Sequence, residues 1–267
     1  MPKMQSMVTP LDARLTRTLA YLQETLGASF GSVGEIGVHH GAYFATLASL
    51  ARPEEPLWAC DLFDHLQLNN LDHSGRGNAT MFLRTVRNLT GRTDVRMAAM
   101  PSYELHRQGV QPPQPFRLLS IDGSHTAINA FTDLVWATRH VARGGLLVVD
   151  DVASAKWRGP TRALRSYWHM HDRQYAFLPL LLTRKKLWLV HRSWHGKYVR
   201  SMGTVLPFAR SNGIARKGLF REFVACLNAN ERFVNKTVDY APLWLPPPPR
   251  PTPRVWLERS ACVRTVR

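Results

Sequence analysis

The amino-acid sequence predicts an α/β fold: a doubly wound, mostly parallel seven-stranded sheet, closed by a C-terminal antiparallel hairpin and followed by an irregular basic extension. Two observations carry this. Apolar runs of strand length alternate with stretches of helical spacing from residue 33 to 191, the pattern of strand–helix–strand units. The runs are apolar on both sides, as in strands covered by helices on both faces. A third observation concerns function. The runs at 118–121 and 146–149 end in acids, Asp122 and the pair Asp150 and Asp151, and His125 follows the first. Ligands bind beyond the carboxyl ends of such strands, so three carboxylates and one imidazole are expected at one rim.

Taken in order, Thr9-Pro10 opens a helix over 11–26, with Leu15, Leu19, Leu22 and Leu26 on one face. A strand at 33–38 and a helix at 41–50 follow the break at 27–31. The second strand, 57–60, ends at Asp61. Residues 64–77 are polar and glycine-punctuated, a loop over the rim. Met81, Phe82, Thr85, Val86 and Leu89 set the helical spacing of 78–89. Strand 95–99, a short helix at 103–109 and three prolines lead into strand 118–121. Helix 126–140 carries Ile128, Phe131, Leu134, Val135 and Ala137, and Gly144 and Gly145 are expected to stop it before strand 146–149. After the loop VASAKWRGP come a helix at 161–169 and two apolar runs, 176–182 and 187–191, separated by TRKK, which reads as the antiparallel pair. Beyond residue 198 the pattern weakens. A helix over 218–236 and a stiff Pro-rich stretch at 246–253 are expected there, so residues 1–200 form the domain and 201–267 the basic, Pro-rich extension.

Composition narrows the class. Residues 1–155 hold 13 Lys and Arg against 14 Asp and Glu, whereas 156–267 hold 22 against 5. The excess charge is scattered and accompanies no nucleic-acid-binding motif, so a basic surface is favoured over nucleic acid as the main partner. Cys60, Cys226 and Cys262 are widely spaced, which fits a reducing compartment better than a disulfide framework or a zinc site. The opening residues lack an apolar core of signal-peptide length and no run approaches a membrane span, so a cytoplasmic protein is expected. The first helix and the long tail are candidate contacts for a homo-oligomer.

The first strand leads into Glu35-Ile-Gly37-Val-His-His-Gly41. Glycines here permit a tight strand-to-helix turn and a close ligand approach. Asp61, ending the next strand, can accept hydrogen bonds from both hydroxyls of a ribose. Together they point to a nucleoside-type cofactor; an ordinary turn with a solvated Asp61 is the alternative.

EIGVHHG, CDLFD, LDHSGRGN, SIDGSH and VVDDV, in this order, resemble the class I S-adenosylmethionine-dependent methyltransferases over residues 33–191. The resemblance is to the branch of macrolide sugar O-methyltransferases, rhamnosyl O-methyltransferases and cephalosporin hydroxylase-like proteins, and it implies a Rossmann-like sheet. It assigns S-adenosylmethionine to Glu35, Gly37, His39, Gly41, Asp61, Ser102 and Asp122: Gly37, His39 and Gly41 by the methionine part, Asp61 on the ribose, Ser102 at the adenine end and Asp122 below the sulfonium. MPS at 100–102 replaces the more common Gly-Asp-Ser type run. The resemblance also matches Asp122, Asp150 and Asp151 to the ligands of a Mg2+ ion, and His125 to a general base. The chemistry agrees. Magnesium prefers hard oxygen ligands, a bound divalent ion acidifies a coordinated hydroxyl, and an imidazole can take its proton. Asp150 or Asp151 could instead cap the next segment, and His125 could merely line the pocket.

The expected activity is Mg2+-assisted methyl transfer to a hydroxyl of a small molecule, a sugar or natural-product type acceptor, with catalytic roles for His125 and Asp122. Two alternatives stay open: a metal-independent methyltransferase on another acceptor, and a basic RNA-associated protein with a vestigial cofactor site. Specificity is expected from the loops at 64–77 and 153–161, where Trp157 could stack on a ring face.

Overall fold

The computed structural model describes residues 8–28, 30–65, 77–152, 154–169, 177–183, 185–205 and 243–244. The strands are β1 (Ser32–Ile36), β2 (Leu57–Asp61), β3 (Val95–Ala99), β4 (Phe116–Ile121), β5 (Val141–Val149), β6 (Phe177–Leu182), β7 (Leu187–His191) and the two-residue β8 (Leu243–Trp244). The helices are α1 (Pro10–Thr25), α2 (Ala42–Ala48), α3 (Ala79–Thr90), α4 (Tyr103–Arg107), α5 (Ala127–His140), α6 (Gly159–His169) and α7 (Arg192–Val205). They form one sheet in the order β3-β2-β1-β4-β5-β7-β6-β8. Strands β1 to β5 pair in parallel, and β7 joins β5 antiparallel, with β6 beyond it. The expected seven strands are all present, and β8 extends the β6 edge by two residues.

Central strands β1 and β4 are buried along their whole length, because helices cover both faces. One apolar core unites Ile36, Trp58, Leu119, Leu134, Trp136 and Leu164 under α4, α5 and α6. The other unites Leu15, Leu19, Val33, Phe44, Val148 and Tyr198 under α1, α2, α3 and α7. Strand side chains alternate between faces, so Glu35 points the same way as Val33, toward α2.

Two elements differ from expectation. Strand β5 starts at Val141, five residues ahead of the expected start at 146, and runs through Gly144 and Gly145. These glycines do not stop α5. They allow close packing: a Cβ on Gly145 would meet the Phe116 carbonyl oxygen at 2.7 Å, and one on Gly144 would press on Ala28 and Trp194. Helix α7 was not foreseen, and it continues past residue 200, where the extension was expected to start. Tyr198, Val199 and Met202 from α7 are buried, and the Tyr198 hydroxyl donates to the Gly144 carbonyl at 2.9 Å. The helix expected at 218–236 and the Pro-rich stretch at 246–253 lie outside the described residues, as does most of the 64–77 loop. Among the described residues, no helix is long and apolar enough to cross a membrane.

Candidate active site

The carboxyl ends of β1, β2, β4 and β5 meet at one rim, because parallel neighbours in register end together. Gly37 N–H donates to the Cys60 carbonyl at 2.7 Å, Asp122 N–H to Ile36 at 2.7 Å and Asp150 N–H to Ile121 at 2.9 Å. Gly37 has φ +83° and Gly41 φ +85°, backbone that glycine adopts without strain. A Cβ on Gly37 would run into the Asp122 carbonyl, so this glycine lets β4 come close under the turn. Gly41 opens α2 against the Phe82 ring.

Asp61 joins two loops at this turn. Its Oδ2 accepts the His39 N–H at 2.8 Å and its Oδ1 the Phe63 N–H at 2.9 Å. Each carboxylate oxygen has a second lone pair, so the group can also accept from two ribose hydroxyls. His39, at φ +48°, contributes its backbone here, while its half-buried ring packs on His40 at 3.9 Å between centroids. Burial and the neighbouring His40 lower its pKa. Ser102 stands at the start of α4, beside Gly123 and the buried Asp133, whose carboxyl is pushed up to about 7 by burial, with the Ser102 hydroxyl pulling the other way. Glu35 lies inside the sheet, 1% exposed. Burial raises its carboxyl to about 8 against the pull of Lys186. The glycine turn and the free lone pairs of Asp61 fit S-adenosylmethionine.

The acids after β4 and β5 separate into two groups. Asp151 takes φ +53°, a left-handed conformation that aspartate tolerates better than most residues. The consecutive acids thereby face different partners. Asp151 Oδ2 lies 3.1 Å from His125 Nε2, and Asp122 Oδ1 lies 4.0 Å from the same nitrogen. Asp122, His125 and Asp151 each offer a ligand atom within 4.8 Å of the others, a group able to hold a metal ion. Asp150, expected as a ligand beside them, is 7% exposed and its Oδ2 lies 2.9 Å from the ammonium of Lys186. Burial alone would raise Asp150, but Lys186 overrides it and holds its carboxyl below the usual range. Asp122, hydrogen-bonded to Asp150, is pushed well up by burial and by the Asp150 charge. The pair therefore shares a proton more readily than it carries two charges.

His125 is held from a second side by Trp157, whose ring stacks on the imidazole at 4.3 Å and also carries Lys156 Nζ at 4.4 Å. The Trp157 ring, a candidate to stack on a ring face, thus packs against His125 and Lys156. A small cleft opens here, lined by Asp122, Ser124, His125, Asp150 and Pro160. In the sequence, nothing in TRKK distinguishes Lys186 from a solvated turn lysine.

Residues 35–152 match a family described as a methyltransferase domain. No curated protein matches the chain. Among solved structures, the O-methyltransferase TomG from Streptomyces achromogenes, involved in tomaymycin synthesis and solved in complex with SAM, superposes with a TM-score of 0.53 at 14% identity, covering 69% of this chain and 81% of TomG. The O-methyltransferase NovP superposes with a TM-score of 0.51 at 17% identity, covering 67% of this chain and 80% of NovP. At such identities the likeness speaks for the fold, and the family match over the rim motifs speaks for the chemistry. Residues 35–152 are, by that match, a methyltransferase domain, carried on the fold that TomG and NovP share.

Proposed function

We propose that the protein is an S-adenosylmethionine-dependent O-methyltransferase, assisted by a divalent ion, whose acceptor is a hydroxyl of a small molecule of sugar or natural-product type. The observation that carries this reading is the convergence of Asp122, His125 and Asp151, of which Asp122 and His125 line the cleft. TomG, involved in tomaymycin synthesis, supports the natural-product class of acceptor. The widely spaced cysteines support a cytoplasmic location.

When bound, the cofactor supplies a methyl group on a sulfonium, and a divalent ion such as Mg2+ acidifies a hydroxyl coordinated to it. The turn from Gly37 to Gly41 receives the methionine part, Asp61 the ribose hydroxyls and Ser102 the adenine end. Asp122, at the end of β4 beside the turn, would stand between the cofactor and the acceptor. His125 takes the hydroxyl proton on Nε2, and the Asp151 carboxylate 3.1 Å away stabilises the resulting imidazolium. Trp157 fixes the ring by stacking.

Release of S-adenosylhomocysteine with a panel of sugar and phenolic hydroxyl acceptors tests this. His125→Ala is expected to lower kcat about 10²- to 10⁴-fold while cofactor affinity stays within about twofold. Unchanged turnover in that variant removes His125 as the base, and full activity in EDTA removes the ion.

A further inference from the structure

Lys186 is 1% exposed, yet its Nζ lies 2.9 Å from Asp150 Oδ2 and 3.8 Å over the Tyr43 ring. The position is built. Thr183 and Lys186 close the turn between β6 and β7 through Thr183 N–H to the Lys186 carbonyl at 2.8 Å and Lys186 N–H to Thr183 Oγ1 at 3.1 Å. Thr183 Oγ1 in turn donates to Asp12 Oδ1 of α1 at 2.7 Å. Val152 N–H donates to the Lys185 carbonyl at 3.0 Å, tying the segment after Asp151 to the same turn. From the other side Tyr43, which Lys186 covers, shares a hydrogen bond with Thr16 Oγ1 at 2.8 Å. Three elements therefore aim one ammonium at the acid that sequence alone would give to a metal ion.

We propose that Lys186 is a resident cation of this site: its ammonium takes the place at Asp150 that a divalent ion would otherwise take, and confines such an ion to the carboxylates of Asp122 and Asp151, beside the base His125. The inference rests on the reading of the rim as an ion-assisted site. A fixed ammonium repels a second cation, and an oxygen committed to it has less charge to share. The affinity of an oxygen-ligand site follows the number of charged ligands it offers. Two carboxylates, with water or an acceptor hydroxyl completing the set, offer hard oxygens that suit Mn2+ as well as Mg2+. Lys186 is thus a positioning residue, acting through Asp150 on where the ion sits.

Mn2+ binding, followed by electron paramagnetic resonance on the full chain with S-adenosylmethionine present, tests the proposal without any acceptor. Lys186→Met frees Asp150 and removes the repulsion, so Mn2+ affinity should rise at least about tenfold. Lys186→Gln, uncharged but able to hydrogen-bond Asp150, should shift the same way and serves if the methionine variant does not fold. Adding Asp150→Asn to either variant should abolish the gain. Mn2+ binding by the variants but not by the wild type supports the resident cation while overturning an ion in the native reaction. Equal affinity in wild type and variants, or no binding by any folded protein, overturns the proposal.

Discussion

Two clusters of buried charge sit at opposite ends of the same strands and follow opposite rules. At the amino end, Arg117 and Glu55 are each 1% exposed and joined by two bonds of 2.7 Å. Gln23 and the Leu50 carbonyl take further guanidinium donors at 2.8 Å. Glu55 also accepts from the Gly31 and Arg52 amides. Burial alone would raise Glu55, but its hydrogen bonds to Arg117 hold the carboxyl below its usual range. At the carboxyl end, Glu35, Asp122, Asp150 and Asp151 share one buried lysine and one imidazole, and Glu35 and Asp122 are driven upward. The first cluster is complete within the protein and ties α1 to the sheet. The second holds acid in excess of its cations, which is the condition for receiving a cationic ligand or a proton.

The largest effect is expected at the complete cluster. Arg117→Met leaves Glu55 buried without its partner, which should cost about 3–5 kcal/mol in denaturant unfolding, with cofactor affinity in the folded fraction unchanged. A loss below about 1 kcal/mol would mean that the two ends do not differ as described. A smaller effect distinguishes the other end. The folded-state pKa of Glu35, about 8, lies above its usual 4.5, so the stabilising share of its proton is full below that usual value and is lost as pH rises through about 8. Wild-type stability should therefore fall across this window by up to about 1.4 kcal/mol per pH unit from this group. Glu35→Gln should flatten that part of the slope in melting curves. Equal slopes in the two proteins would place the Glu35 proton elsewhere.

The same comparison separates what was legible in the sequence from what was not. The rim acids were legible because an apolar run that stops at Asp61, Asp122 or Asp150 marks a strand end, and strand order brings those ends together. The division between Asp150 and Asp151 was not, since it depends on a left-handed φ at one residue and on a lysine 35 positions further on. Lys186 faces inward because Thr183 is held by Asp12, a bond spanning 171 residues that no local pattern announces. The start of β5 was misplaced because glycine punctuates turns more often than it permits close packing, which is its use at Gly144 and Gly145. Helix α7 was missed because Gly196 and Gly203 dilute its helical signal, and its buried face is defined only against α1 and the sheet.

The central claim is that the rim is a working cofactor and hydroxyl-activating site, and its most direct test is calorimetry of S-adenosylmethionine binding to the wild type and to Asp61→Ala. Saturable one-to-one binding to the wild type is expected, weakened at least about tenfold in the variant, because the carboxylate that takes the ribose hydroxyls also anchors the His39 amide of the glycine turn. Wild-type protein that binds no S-adenosylmethionine, or an Asp61→Ala variant that binds it equally well, would mean that the rim is not this site.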